Sequence, residues 1–257
     1  SDMTAVSLRA GLYRLKAVAL LELGRADEAL DAAESAVAEA ERKSESTYLG
    51  SALMIRATCL AELGEFGAAI AQGREALRMT AAYTTPIHPS VAIAQHGLAA
   101  ILLKAKELDD AAMMSHKSVR LFELIGEEDH AYVARFLLLR SQIHMSRGRL
   151  ADARTDIDRA ALVAEASDDA DPSRKSIRLV RAVILAKEGD TAAAEAELAA
   201  LLAEGDLPRR VQARGEATLA ALRNGEELPM YASILPTDGG MSPGEPAPVI
   251  LPTQLDR

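Results

Sequence analysis

LELGRADEAL, residues 21–30, joins the end of one apolar helix to the start of another through a glycine, and LAELGEFGAAI, residues 60–70, has the same construction. In each, the turn glycine (Gly24 or Gly64) is followed five positions on by an alanine (Ala29 or Ala69). The frame continues at KAKELDDAA with Lys106 and Ala111, at SRGRLADA with Gly148 and Ala153, and at AKEGDTAAA with Gly189 and Ala194. The turns recur with a nearly constant period of about 40 residues, a regularity that predicts a stack of one repeated unit. The unit has a physical logic. A helix of about four turns ends at a glycine because a helix C-terminus commonly needs a residue at positive φ. Lys106 is the departure, where another residue must accept that conformation. Acidic residues follow in RADEA, ELDDA and RLADA, where they favour the start of the next helix through its dipole. The alanine five positions past the turn is small so that two antiparallel helices can approach closely.

Composition agrees with a helical stack. Of 257 residues, 49% are hydrophobic and 26% charged, enough to bury a core, while only 3% are aromatic. The apolar count leans on alanine, which favours many close helices, and strand formers are too scattered for a sheet. A net charge of −9, with no basic run interleaved with aromatics, argues against a nucleic-acid partner. No stretch reaches the length of a membrane-spanning helix, and the N-terminus lacks the pattern of a secretory leader. The expectation is a cytoplasmic chain without membrane association. Ser1, Asp2 and Met3 ahead of the first helical pattern suggest a domain taken from a longer chain. Cys59, the one cysteine, sits in MIRATCLAEL and reads as a small buried hydrophobe.

The five units resemble the tetratricopeptide repeat, a helix-turn-helix element, over roughly residues 4–202. That repeat normally spans about 34 residues. The longer period is similar to the form in kinesin light chains and bacterial signalling arrays, and HPSVAIAQHGLAAILL (88–103) resembles its opening, repeated more loosely in EEDHAYVARFLLLRSQIHMSRGRLADA (127–153). The fifth unit departs by carrying Arg178 and Arg181 among its apolar residues, and Tyr13 alone supplies the early aromatic of the family pattern. LPRRVQARGEATLAALRNG, residues 207–225, has one apolar stripe and reads as a terminal capping helix. The fold class expected is all-α: a right-handed α-solenoid of about five repeats in residues 1–225, with a capping helix. Residues 226–257 hold six of the ten prolines and read as an extended or disordered tail with apolar islands at MYASILP and APVILP.

Enzymatic constellations are missing from the sequence. His88, His96, His116, His130 and His144 do not occur at metal-ligand spacings, and no phosphate-binding or nucleophile-elbow motif is present. The acidic clusters GEEDH and SDDAD fall between units and read as loops. The reading is therefore a non-enzymatic scaffold with no cofactor and no metal. The resemblance implies that the first helix of each unit lines the concave side. By pattern, that stripe comprises Arg14, Val18, Met54, Thr58, His96, Ala100, Arg135, Leu138, Gln142, Leu179 and Val183. The partner implied is a protein or peptide segment with apolar anchors. The chaperone-tail clamp of the family needs asparagines within the repeats, and Asn224 is the only one in the chain. Alternatives are a regulatory region of a larger bacterial kinase or transcription regulator, and a homo-oligomer formed through the solenoid ends or the tail.

Overall fold

The computed structural model describes residues 2–42, 47–126, 130–166 and 173–228. Among them are eleven helices and no strand: α1 (Asp2–Glu22), α2 (Ala26–Glu41), α3 (Thr47–Glu62), α4 (Phe66–Tyr83), α5 (Pro89–Lys104) and α6 (Leu108–Leu124). These are followed by α7 (Ala131–Ser146), α8 (Leu150–Ala166), α9 (Ser173–Lys187), α10 (Thr191–Ala203) and α11 (Arg209–Asn224). Consecutive helices pair as α1–α2, α3–α4, α5–α6, α7–α8 and α9–α10, giving five units, and α11 closes the stack against α9 and α10. The first helices also touch in sequence, α1 to α3 and onward to α9 and α11, and so build one continuous wall. The apolar islands of the tail lie outside the described residues, as do most of GEEDH and all of SDDAD.

The turn frame explains why the units are alike. Gly24, Gly64, Gly148 and Gly189 all have positive φ, and Lys106 takes the same left-handed conformation at φ 64°, the only non-glycine among the described residues to do so. The next residue donates its N–H to the carbonyl five positions back in every unit: Arg25 to Leu20, Glu65 to Leu60, Glu107 to Leu102, Arg149 to His144 and Asp190 to Leu185, all at 2.9–3.0 Å. These bonds satisfy carbonyls that a helix end would otherwise leave open and aim the following helix back along its partner. Ala29, Ala69, Ala111, Ala153 and Ala194 have no exposed surface.

Two histidines belong to the repeat rather than to chemistry. His88 precedes α5 and His130 precedes α7, and each accepts, at Nδ1, the N–H two positions on at 3.1 Å, from Ser90 and Tyr132. They are N-caps in equivalent positions of successive units. The largest side chains of the core gather in the third and fourth units, where Phe122 meets Phe136 edge to face at 5.1 Å. His96 lies 4.8 Å from Phe136, fully buried, with neither ring nitrogen hydrogen-bonded. Burial, with a smaller push from Arg135, lowers its pKa to about 3, so the ring is neutral. Cys59 is buried and its thiol is pushed up to about 12, chiefly by burial, so it is a packing residue.

Arg178 and Arg181, which look misplaced in the sequence, pair with α10. Arg181 donates to Glu197 at 2.7 Å, and Arg178 binds Glu197 and Glu204. Arg181 follows a rule shared by the second, fourth and fifth units. Eight positions before and eight after the turn, the two helices of a unit present side chains to one another: Arg56 to Gln72, Arg140 to Asp156, Arg181 to Glu197. In the third unit the same two positions are Leu98 and Met114, which meet in an apolar cluster.

Candidate functional site: the wall of first helices

The geometry of a stack limits which residues a ligand can reach. Each internal first helix touches its own second helix, the preceding second helix and the neighbouring first helices, so only a narrow strip stays open. Apart from Arg135, which lies thirteen positions before its turn, the stripe inferred from pattern lies ten and six positions before each turn, and this register falls mostly in the contact between first helices. Arg14, Val18, His96, Leu138, Gln142, Leu179 and Val183 are buried, with Leu138 and Leu179 lacking any exposed surface. These seven are therefore placed inside the wall rather than on it. Met54, Thr58, Ala100 and Arg135 remain partly exposed. Thr58 spends its hydroxyl on the Met54 carbonyl at 3.0 Å, and Arg135 lies over the Tyr132 ring at 5.9 Å.

Met54 fits into a gap made for it. A side chain at Gly97 would sit 2.8 Å from the Met54 sulfur, so α5 carries glycine where α3 leans against it. The rest of the open strip falls about one turn to either side of that register, and Arg135 is the one residue named from pattern that lies there. Ser51, Ile93 and Arg135 share one register towards the start of their helices, and Glu62 and Lys104 share another at the end of theirs, all partly exposed. The strip is thus apolar in its middle and charged along the rim where the first helices end.

At that rim the two ends of the solenoid meet. Arg210, in the first turn of α11, donates through Nη2 to the Leu21 carbonyl of α1 at 2.7 Å and lies 3.4 Å from Glu62 of α3. Arg209 reaches the Leu23 carbonyl at 3.4 Å. Glu62 is the shared anion, bound on its other oxygen by Lys104 of α5 at 2.6 Å. Burial alone would raise the Glu62 pKa, but Lys104 and Arg210 outweigh it and hold the carboxyl below its ordinary range. The Leu21 carbonyl, which also accepts the Gly24 N–H at 3.0 Å, lies at the C-terminal end of α1, where a cation is favoured by the helix dipole. The contact spans 148 and 189 residues of sequence, so the curvature of five units carries the last helix back to the first.

A second concavity of about 460 Å³ lies between α6, α7 and α8, lined by His116, Arg140, His144, Arg147, Arg149 and Asp156 among others. Its charges are already answered. Arg140 binds Asp156, Arg147 binds Asp109 and Arg149 binds Asp152. His144 stands 3.5 Å from Asp156, and burial lowers its pKa against the pull of that carboxylate. Among the described residues no group of three His, Cys, Asp or Glu side chains could hold a metal ion, and no helix is long and apolar enough to cross a membrane.

Residues 15–84 match the tetratricopeptide repeat family model. No curated protein matches the chain by sequence. Solved structures resemble it in fold. A putative kinesin light chain of Podosopora anserina with nearly identical TPR-like repeats superposes with a TM-score of 0.56 at 17% identity, covering 79% of this chain and 94% of its own. A thermophilic TPR protein of Thermus thermophilus gives 0.58 at 19%, covering 83% and 99%. A Rap protein complexed with competence and sporulation factor gives 0.60 at 15%, and this chain spans 84% of itself but 64% of that protein. Residues 15–84 are thus recognised by sequence as tetratricopeptide repeats, and the described residues share the fold of these solved structures, a right-handed α-solenoid of five helix pairs and a closing helix.

Proposed function

We propose that this chain is a protein-interaction scaffold that holds an extended or helical peptide segment along the wall of first helices. The observation that supports it is the wall itself: five helices in unbroken contact, leaving a strip with Met54 and Ala100 in its middle and Ile93 and Arg135 towards the start of the helices. Such a strip suits a segment with apolar anchors flanked by acidic residues, which Arg135 would pair with. Stacked units create a long surface without one deep pocket, which is the geometry for a chain-like ligand rather than a small molecule. No catalytic step is assigned to the chain.

The Arg210 contact adds a gate to this reading. With α11 fastened to α1 and α3, a segment enters the ring end-on or waits for the contact to open. The experiment is affinity purification from the source cell, followed by mass spectrometry, using the full chain, the chain without residues 226–257 and the Arg135→Glu variant. A partner captured by the first two forms and lost from the third supports binding on the wall. A partner unaffected by Arg135→Glu contradicts it.

A further inference from the structure

The first helices α3 and α9 each pack one face against the second helix of the unit before, α2 and α8. Counted back from the turn residue, that face lies at the twelfth, ninth and fifth positions. Ala52, Ile55 and Cys59 occupy these positions in α3, and Ile177, Val180 and Ile184 in α9, all buried. Ile55 and Cys59 cluster with Ala29, Ala32 and Ala33 of α2, and Ala52 clusters with Ala36, Val37 and Ala40 of the same helix.

In α1 the same three positions are Leu12, Leu15 and Ala19. Leu12 is 64% exposed and Leu15 43%, and Ala19 is exposed beside them. With Leu8 and Leu23, also exposed, they make one continuous helical stripe. A solenoid end that faces water needs polar residues on that face. α1 instead carries the residue types of an internal unit.

A fourth position makes the equivalence specific. At the fifteenth position before its turn, α9 has Arg174, which donates through Nε to the Ala164 carbonyl at 2.8 Å and through Nη2 to the Glu165 carbonyl at 3.3 Å, in the last turn of α8. α1 has Arg9 at that register, exposed. Thus α1 reproduces both halves of the α8–α9 interface as α9 contributes them: the apolar triplet and the arginine that caps the neighbouring helix.

We propose that the outer face of α1 is a docking site for an amphipathic helix of the α8 type. Such a helix sets a stripe like Ala153, Ile157, Ala160 and Ala164 of α8 against Leu12, Leu15 and Ala19, and places its C-terminal carbonyls on Arg9. The α2–α3 and α8–α9 interfaces supply this chemistry, because α1 carries the same residue types at the same positions. A second copy of α1 is the poorer occupant. It would oppose leucine to leucine, where α3 meets the alanine-rich face of α2, and would leave Arg9 without a helix terminus to bind.

The test supplies the occupant. A copy of residues 150–166 is joined by a flexible Gly-Ser linker ahead of the full chain, and a composition-matched scrambled segment serves as control. Tethering raises the local concentration enough for a weak helix to dock. Amide hydrogen exchange in residues 8–23 slows by about tenfold or more with the α8 copy and is unchanged with the scrambled one. Arg9→Ala weakens that protection, and Leu12→Glu with Leu15→Glu removes it. Both substitutions are on exposed positions, and circular dichroism checks that the fold is retained. Unchanged exchange in α1, or protection that survives the two glutamates, overturns the proposal. So does a parent chain that sediments as a dimer and becomes a monomer on Leu12→Glu, because the occupant is then a second copy. None of these readings depends on the wall of first helices, so failure here leaves the groove proposal standing.

Discussion

The pairing between Arg140 and Asp156 is a position where the third unit has already carried out the substitution experiment. Asp156 has a side-chain exposure of 7% and Arg140 of 18%; the guanidinium donates twice to the carboxylate, at 2.8 and 2.6 Å. The same register in the third unit is Leu98 and Met114. Removing one partner of a buried pair strands the other charge and costs about 3–5 kcal/mol. Arg140 also faces the open concavity beside Asp156, so the lower end of that range applies. Arg140→Leu and Asp156→Met should each destabilise the chain by about 3 kcal/mol. The double variant, which copies the third unit, should return to within about 1 kcal/mol of the parent, because well-packed apolar replacements of buried ion pairs are often neutral. Urea unfolding followed by circular dichroism measures all four proteins, with a constant slope against denaturant required for the comparison. A coupling energy of about 5 kcal/mol between the two sites is the expected result, since two losses of about 3 kcal/mol each would shrink to about 1 kcal/mol in the double variant. If the losses simply add in the double variant, the two units do not share a register and the repeat rule is wrong.

Lys106 holds the left-handed turn conformation that glycine holds in the other four units, so Lys106→Gly should stabilise the chain by about 0.5–1 kcal/mol in the same urea assay. His96 is neutral when folded, with its pKa far below the ordinary value, so the unfolded chain binds the extra proton in acid. Its contribution is full above about pH 6.5 and is lost as the pH falls towards 3, at up to about 1.4 kcal/mol per pH unit; unfolding midpoints of His96→Leu should show a shallower acid slope. Glu62 is held below the ordinary carboxylate range, so the contact with Arg210 persists above that range and is lost as pH falls through the folded value. Arg210→Ala should open the solenoid at neutral pH, read as an increased radius of gyration by small-angle X-ray scattering; an unchanged radius would deny the contact any role in the shape.

The turn frame was legible because each turn is a local event. One positive φ, one carbonyl satisfied from five positions on and one buried alanine recur at nearly constant spacing, and Lys106 fits the frame despite its side chain. The wall was less legible. Periodicity tells which residues share a face of a helix, but not how many neighbours that face has. His96, Leu138 and Leu179 sit in the register named from pattern and are buried by adjacent first helices, whereas Ile93 and Lys104 about one turn away are open. Aligning the units on the turn residue carried a signal that periodicity does not use: Arg56 and Gln72, Arg140 and Asp156, and Arg181 and Glu197 are each 16 residues apart, symmetrically about the turn. That symmetry explains Arg181, which looks foreign to an apolar helix when read alone; Arg178 joins it by binding the same Glu197 and, beyond it, Glu204. The Arg210 contact has no local signature, because it depends on curvature accumulated over five units.

The measurement that bears most directly on the account is site-specific photo-cross-linking in the source cell. A benzoylphenylalanine is installed in place of Arg135, on the strip of first helices, or in place of Leu162, exposed on the second helix α8. The account predicts that the partner segment cross-links from position 135 and not from position 162. Cross-linking from position 162 alone would place binding on the second helices and contradict it.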